Sequence, residues 1–140
     1  MPWLPYVLVK ITAYAAWCLV GVHSYQPTLT GKQIASRAVG WGLFRLGLGL
    51  VFGTAIFLAQ AFHGGWAPRH GLEGVVRDVS VYLAVYVPVR IIEWSIVSGL
   101  AFDRRPPAWI AGGVAVSIAA DIPWIAMEHG HILPVGRFLC

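Results

Sequence analysis

"YVPVRIIEW", residues 86–94, sets an arginine and a glutamate three positions apart inside an apolar run that extends over residues 79–102. A helix that crosses the hydrocarbon of a bilayer needs roughly 20 mainly apolar residues, because that layer is about 30 Å thick and each residue rises about 1.5 Å. The run passes that test, and so do residues 3–22, 38–62 and 108–127. Between them lie "HSYQPTLTGKQIASR", "HGGWAPRHGLEGVVRD" and "DRRPP", which collect most of the remaining charge, glycine and proline and read as loops. The last is short enough to force the third and fourth helices into an antiparallel pair, and Pro106 and Pro107 suit the first turn of a helix, where a missing N–H costs little. The expected fold is all-α: one domain over residues 1–140, a polytopic membrane protein built as an antiparallel four-transmembrane-helix bundle.

Composition agrees with lipid as the solvent. Only 11% of the 140 residues are charged and 58% are hydrophobic, whereas an ordinary soluble domain carries about 25% charge. The first span has no basic leader, carries Lys10 in its middle and shows no cleavage pattern, so it is expected to stay rather than act as a signal peptide. Cys18 and Cys140 fall on opposite sides of four crossings, which argues against an intrachain disulfide. With the N-terminal side named A and the other B, side A holds Arg69, Arg77 and Arg137, and side B holds Lys32, Arg37, Arg104 and Arg105. That balance tips side B toward the cytoplasm, with both termini outside, in an inner membrane of bacterial type. The net charge of +4 suits anionic lipid, and no pattern points to nucleic acid.

Five ionisable residues fall inside the spans: Lys10, Arg45, Arg90, Glu93 and Asp121. Each costs about 2.5–3.5 kcal/mol near a bilayer centre, so such residues face inward and find partners. Counted from the helix ends, Arg45 and Glu93 lie about 10 Å from side B, and Lys10 and Asp121 about 10 Å from side A. Depth therefore pairs Arg45 with Glu93 and Lys10 with Asp121, and leaves Arg90 as an excess positive charge near mid-membrane. The alternative for Glu93 is Arg90 itself, its i−3 neighbour.

Helical periodicity gathers these residues onto faces. Tyr82, Tyr86, Arg90, Glu93 and Val97 share about 80° of one helix, and Tyr6, Lys10, Tyr14, Trp17 and Gly21 do the same on another. Gly42, Arg45, Gly49 and Gly53 form a small-residue face on the second span, as do Gly113, Ser117 and Asp121 on the fourth; such faces let backbones approach closely. Pro88 and Pro123 interrupt backbone hydrogen bonding beside Arg90 and Asp121. Trp3, Trp41, Trp109 and Trp124 sit near span ends and are expected to be interface anchors. "YVLVKI", residues 6–11, echoes "YVPVRI", residues 86–91, as a duplicated hairpin would.

His63, His70, Glu73, Glu128, His129 and His131 gather on side A, but their spacing matches no metal motif, and solvated or interfacial histidines are the expected reading. No span carries a histidine well inside it to ligate a haem, so no metal or cofactor is assigned. GxSxG, CxxC and phosphate-binding glycine loops are absent. The leading functional expectation is a polar interior that binds, and in an enzymatic version modifies, an anionic or polar-headed amphiphile of lipid, isoprenoid or quinone type. Arg45, Arg90, Tyr82, Tyr86, Lys10 and Tyr14 would hold the ligand, and Glu93 and Asp121 would transfer protons. Two alternatives stand beside it: a transporter or channel subunit, working as a homo-oligomer, that uses the same charges as an ion or proton relay, and an accessory subunit that docks within a larger membrane complex.

Overall fold

The computed structural model describes residues 3–62, 76, 79–80 and 82–127. These residues are all-helical, in the order α1 (Trp3–Tyr25), α2 (Gly31–Phe62), a π-helical turn (Tyr82–Tyr86), α3 (Val87–Phe102) and α4 (Pro107–Met127). Three helical stretches are long and apolar enough to cross a membrane: Leu4–Tyr25, Gly31–Leu58 and Tyr82–Phe102. The fourth apolar stretch, Pro107–Pro123, is shorter among the described residues.

Local chemistry sets the helix limits. α2 starts at Gly31 rather than near residue 38 because Gln33 reaches back to the helix start: the Thr30 backbone N–H and hydroxyl both donate to Gln33 Oε1, at 2.9 and 3.1 Å. α3 stops at Asp103, which takes a left-handed conformation (φ 53°) that aspartate tolerates better than most residues. The Ser98 hydroxyl donates to the Arg104 carbonyl at 2.7 Å and holds that turn, after which Pro107 opens α4.

The proline beside Arg90 has a specific effect. Pro88 cannot donate to the carbonyl four residues earlier, and its ring crowds that carbonyl. The chain widens just before it into the π turn, which carries Tyr82 and Tyr86 inward, both buried. Pro123, in contrast, lies within α4, which runs on to Met127.

α1 packs on α2 and α4, and α3 packs on α4 and α2. α1 and α2 approach closely at Gly42, where a Cβ would lie 2.8 Å from the Ala15 backbone nitrogen. Gly42, Arg45, Gly49 and Gly53 are all buried, as are Gly113, Ser117 and Asp121, so both small-residue faces point inward. A ladder of rings fills the core near the α3–α4 turn. Trp94 and Phe102 meet Trp109 edge-on at 5.2 and 5.1 Å, and Trp17 stacks on Trp109 at 6.3 Å.

That ladder corrects the expectation for Trp109, which is 4% exposed and a core residue rather than an anchor. Gly21 makes the room: a Cβ there would come within 2.6 Å of the Trp109 ring nitrogen. Trp41 is half-buried and meets Phe44 edge-on. The side chains of Trp3 and Trp124, and the candidates His63, His70, Glu73, Glu128, His129, His131 and Cys140, lie outside the described residues.

Candidate functional site

The five charged residues set within the apolar runs are fully buried: Lys10, Arg45, Arg90, Glu93 and Asp121 are each 0% exposed. They form two centres. At the first, α4 presents Asp121 toward α1 and the π turn. Its Oδ1 accepts the Tyr6 hydroxyl at 2.8 Å and the Lys10 ammonium at 3.0 Å. Its Oδ2 accepts the Tyr82 hydroxyl at 3.1 Å and the Arg90 guanidinium. A carboxylate offers about four lone-pair sites, and here all are occupied. Arg90 also donates to the Tyr82 oxygen, so that hydroxyl accepts from the arginine while donating to the carboxylate.

Arg90 therefore has a counter-ion, contrary to the expectation that it stands as the charge left over. Depth counted at the backbone missed this. Helix side chains lean toward the N-terminus of their own helix, and a long arginine on α3 leans toward the end where Asp121 lies. The same lean places it against Tyr82, with its guanidinium carbon 5.0 Å from the ring centroid. Lys10 likewise sits over the Tyr6 ring at 4.9 Å.

The second centre joins α2 to α3. Arg45 Nη2 lies 2.5 Å from Glu93 Oε2. The guanidinium is held between two rings, 5.0 Å from the centroid of Tyr14 and 5.3 Å from that of Trp94. These rings meet edge to face at 5.7 Å. Trp94 is fixed in turn by its N–H, which donates to the Ser117 hydroxyl at 3.0 Å, and by Gly113, whose missing Cβ would lie 2.5 Å from the indole. The Ser117 hydroxyl donates in turn to the Gly113 carbonyl at 2.9 Å. Both small residues of that α4 face thus serve as the seat of one tryptophan.

The two centres share a field, since Glu93 feels the charges of Arg45, Arg90 and Lys10 together. Three cations against two carboxylates leave the described interior with one excess positive charge. Among the described residues, the buried polar atoms without a hydrogen-bond partner include Arg90 Nε, the Tyr14 hydroxyl, Glu93 Oε1 and the Trp109 indole nitrogen. Tyr14 also lies within electrostatic reach of Arg90. Tyr86 is buried beside Tyr82, with ring centroids 5.8 Å apart. All eight residues singled out from the sequence are therefore buried, and so are Tyr6 and Ser117, which bond to them or to their neighbours. Tyr6 was legible as the i−4 neighbour of Lys10, on the same stripe of α1.

No group of three or more histidine, cysteine or acidic side chains able to hold a metal ion occurs among the described residues. No protein-family model matches the chain, and neither a curated protein nor a solved structure resembles it significantly.

Proposed function

We propose that this chain crosses a membrane four times as an antiparallel bundle and uses its charged interior to bind an amphiphile with an anionic or polar head. The inverted polarity supports insertion: Val51 and Leu100 are 67% and 62% exposed, while Lys10, Arg45, Arg90, Glu93 and Asp121 are 0% exposed. In water that distribution is unfavourable, and in lipid it is the low-energy one. α4 has 21 residues, about 31 Å of helix, which suffices for the fourth crossing. Lys32, Arg37, Arg104 and Arg105 at the turn end favour a reading with that end in the cytoplasm, in an inner membrane of bacterial type.

The observation that carries the binding reading is the interior excess of positive charge beside unpartnered donors on Arg90 and Tyr14. A buried net charge is costly unless matched, and an anionic head seated between the two centres matches it. It would accept from Arg90 Nε and Tyr14, leaving Glu93 Oε1 to accept a ligand proton. If the protein acts on its ligand, Glu93 is the better proton carrier, because Asp121 already holds four donors.

The test is to purify wild-type, Arg90→Gln and Tyr14→Phe proteins in mild detergent and identify what solvent extraction releases from each. A single class of anionic or polar-headed amphiphile, retained by the wild type and reduced in both variants, is expected. Equal retention by all three proteins contradicts the proposal.

A second reading, an ion or proton relay, draws on the continuity of charge from Asp121 through Arg90 and Glu93 to Arg45. Proton or ion flux in proteoliposomes that Glu93→Gln abolishes would favour it; bilayers as tight with protein as without would remove it.

A further inference from the structure

A second site lies on the outside of the molecule, between α3 and α4 beside their turn. An apolar groove of about 400 Å³ runs between them, lined by Ile91, Ser95, Ile110, Ala111 and Val114, with Arg105 at its mouth. The Ser95 hydroxyl donates to the Ile91 carbonyl at 2.6 Å, which uses up its proton within the helix. Val114 lies seven residues into α4, so the groove reaches about 10 Å from the arginine toward the hydrocarbon.

Arg105 also borders a neighbouring depression of about 380 Å³ that holds Asp103 and Arg104. Its guanidinium rests over Gly99, where a Cβ would come within 3.3 Å of Nε. Among the described residues, neither Arg104 nor Arg105 forms an ion pair. The rest of this end is basic as well: Lys32, Arg37, Arg104 and Arg105 stand against the single carboxylate of Asp103. The first turn of α4 begins at the groove mouth and adds the positive end of its dipole.

We infer that this groove holds one anionic phospholipid of the adjoining leaflet, with its phosphodiester at Arg105 and one acyl chain along Ile91, Ile110 and Val114. The assignment follows from complementarity. A planar guanidinium fork matches phosphate oxygens bidentately, and a groove with its only charge at one end matches a molecule built the same way. A zwitterionic choline lipid fits less well, because its ammonium meets a surface with an excess of cations. The inference rests on the membrane reading above but not on any ligand in the interior.

Native mass spectrometry of the full chain tests it, using detergent micelles with equal amounts of phosphatidylglycerol and phosphatidylcholine. The wild type is expected to retain phosphatidylglycerol about fivefold over phosphatidylcholine, and Arg105→Gln to bring the two near parity. Ala111→Phe fills the groove without touching the arginines and is expected to lower retention of both lipids. Val51→Ala, exposed on α2 and not part of the groove lining, is expected to leave the preference unchanged. Equal retention of the two lipids by the wild type, an undiminished preference in Arg105→Gln, or full retention in Ala111→Phe would overturn the assignment. A preference lost in Arg90→Gln but kept in Arg105→Gln would also overturn it, by moving the lipid inside. Failure of the membrane reading is distinguishable, since the chain would then stay in solution without detergent.

Discussion

The Asp121 centre and the Arg45–Glu93 centre solve one problem in different ways. Asp121 is a hub: four donors from α1, the π turn and α3 converge on one carboxylate, and two of them carry charge. Arg45 and Glu93 are a balanced pair whose cation is wrapped by the faces of Tyr14 and Trp94. The hub gains from hydrogen bonds and leaves a surplus positive charge; the pair gains from aromatic packing and leaves Glu93 Oε1 without a hydrogen bond. Damage to the hub should therefore be irreparable by a single compensating change, whereas the pair should be replaceable as a unit.

The largest effect is expected from Asp121→Asn, which leaves the buried Lys10 and Arg90 without their shared carboxylate. Removing one partner of a buried ion pair costs about 3–5 kcal/mol, and here two cations lose the same partner. Loss of the folded, monodisperse species on gel filtration in detergent is the expected readout. A variant that purifies with wild-type yield and melting temperature would show that the hub does not hold the helices together.

Glu93→Gln should cost about 3–5 kcal/mol by the same reasoning. The sharper experiment joins it to its partner, because replacing both ions with apolar residues of similar volume is often neutral or stabilising by about 1–4 kcal/mol. Arg45→Met with Glu93→Met should therefore recover most of the melting temperature lost in Glu93→Gln. If the double variant unfolds as readily as the single one, the pair is no more separable than the hub.

A smaller loss separates two tyrosines of the hub. Tyr82→Phe should destabilise by about 1–3 kcal/mol, because its hydroxyl both receives from Arg90 and donates to Asp121. Tyr6→Phe removes one donor and should cost about 1 kcal/mol. Ser117→Ala is expected at a similar level, since it removes the acceptor of the Trp94 N–H. Urea or thermal unfolding in one detergent would rank all three, and a larger loss for Tyr6→Phe than for Tyr82→Phe would reverse the assigned roles.

Much of this interior was legible from residue type and spacing. Charges in an apolar run must turn inward, so the stripes Tyr6–Lys10–Tyr14 and Tyr82–Tyr86–Arg90–Glu93 were readable from the helical period alone. Depth matching also paired Lys10 with Asp121 and Arg45 with Glu93, as found. It failed for Arg90 because depth was counted at Cα, while the guanidinium sits well toward the N-terminal end of its helix.

The echo between "YVLVKI" and "YVPVRI" gained a physical counterpart, since Lys10 and Arg90 grip the two oxygens of the same carboxylate. The likeness breaks at the tyrosines. Tyr6 reaches Asp121 directly, whereas on the other helix that bond is made by Tyr82 rather than Tyr86. Pro88 and the π turn before it have no match in α1 and mark the local difference in geometry. Trp109 misled for another reason: position near a span end favours an anchor, and only the close approach of Gly21 draws the ring inward.

The most direct measurement is a side-chain-resolution density map of the detergent-purified chain, inspected between the two charged centres. An elongated feature whose head lies within hydrogen-bond reach of Arg90 Nε and the Tyr14 hydroxyl is the expected result. Tyr14, Arg90 and Glu93 bonded directly to one another, with protein atoms filling the space between, would contradict a ligand-binding interior.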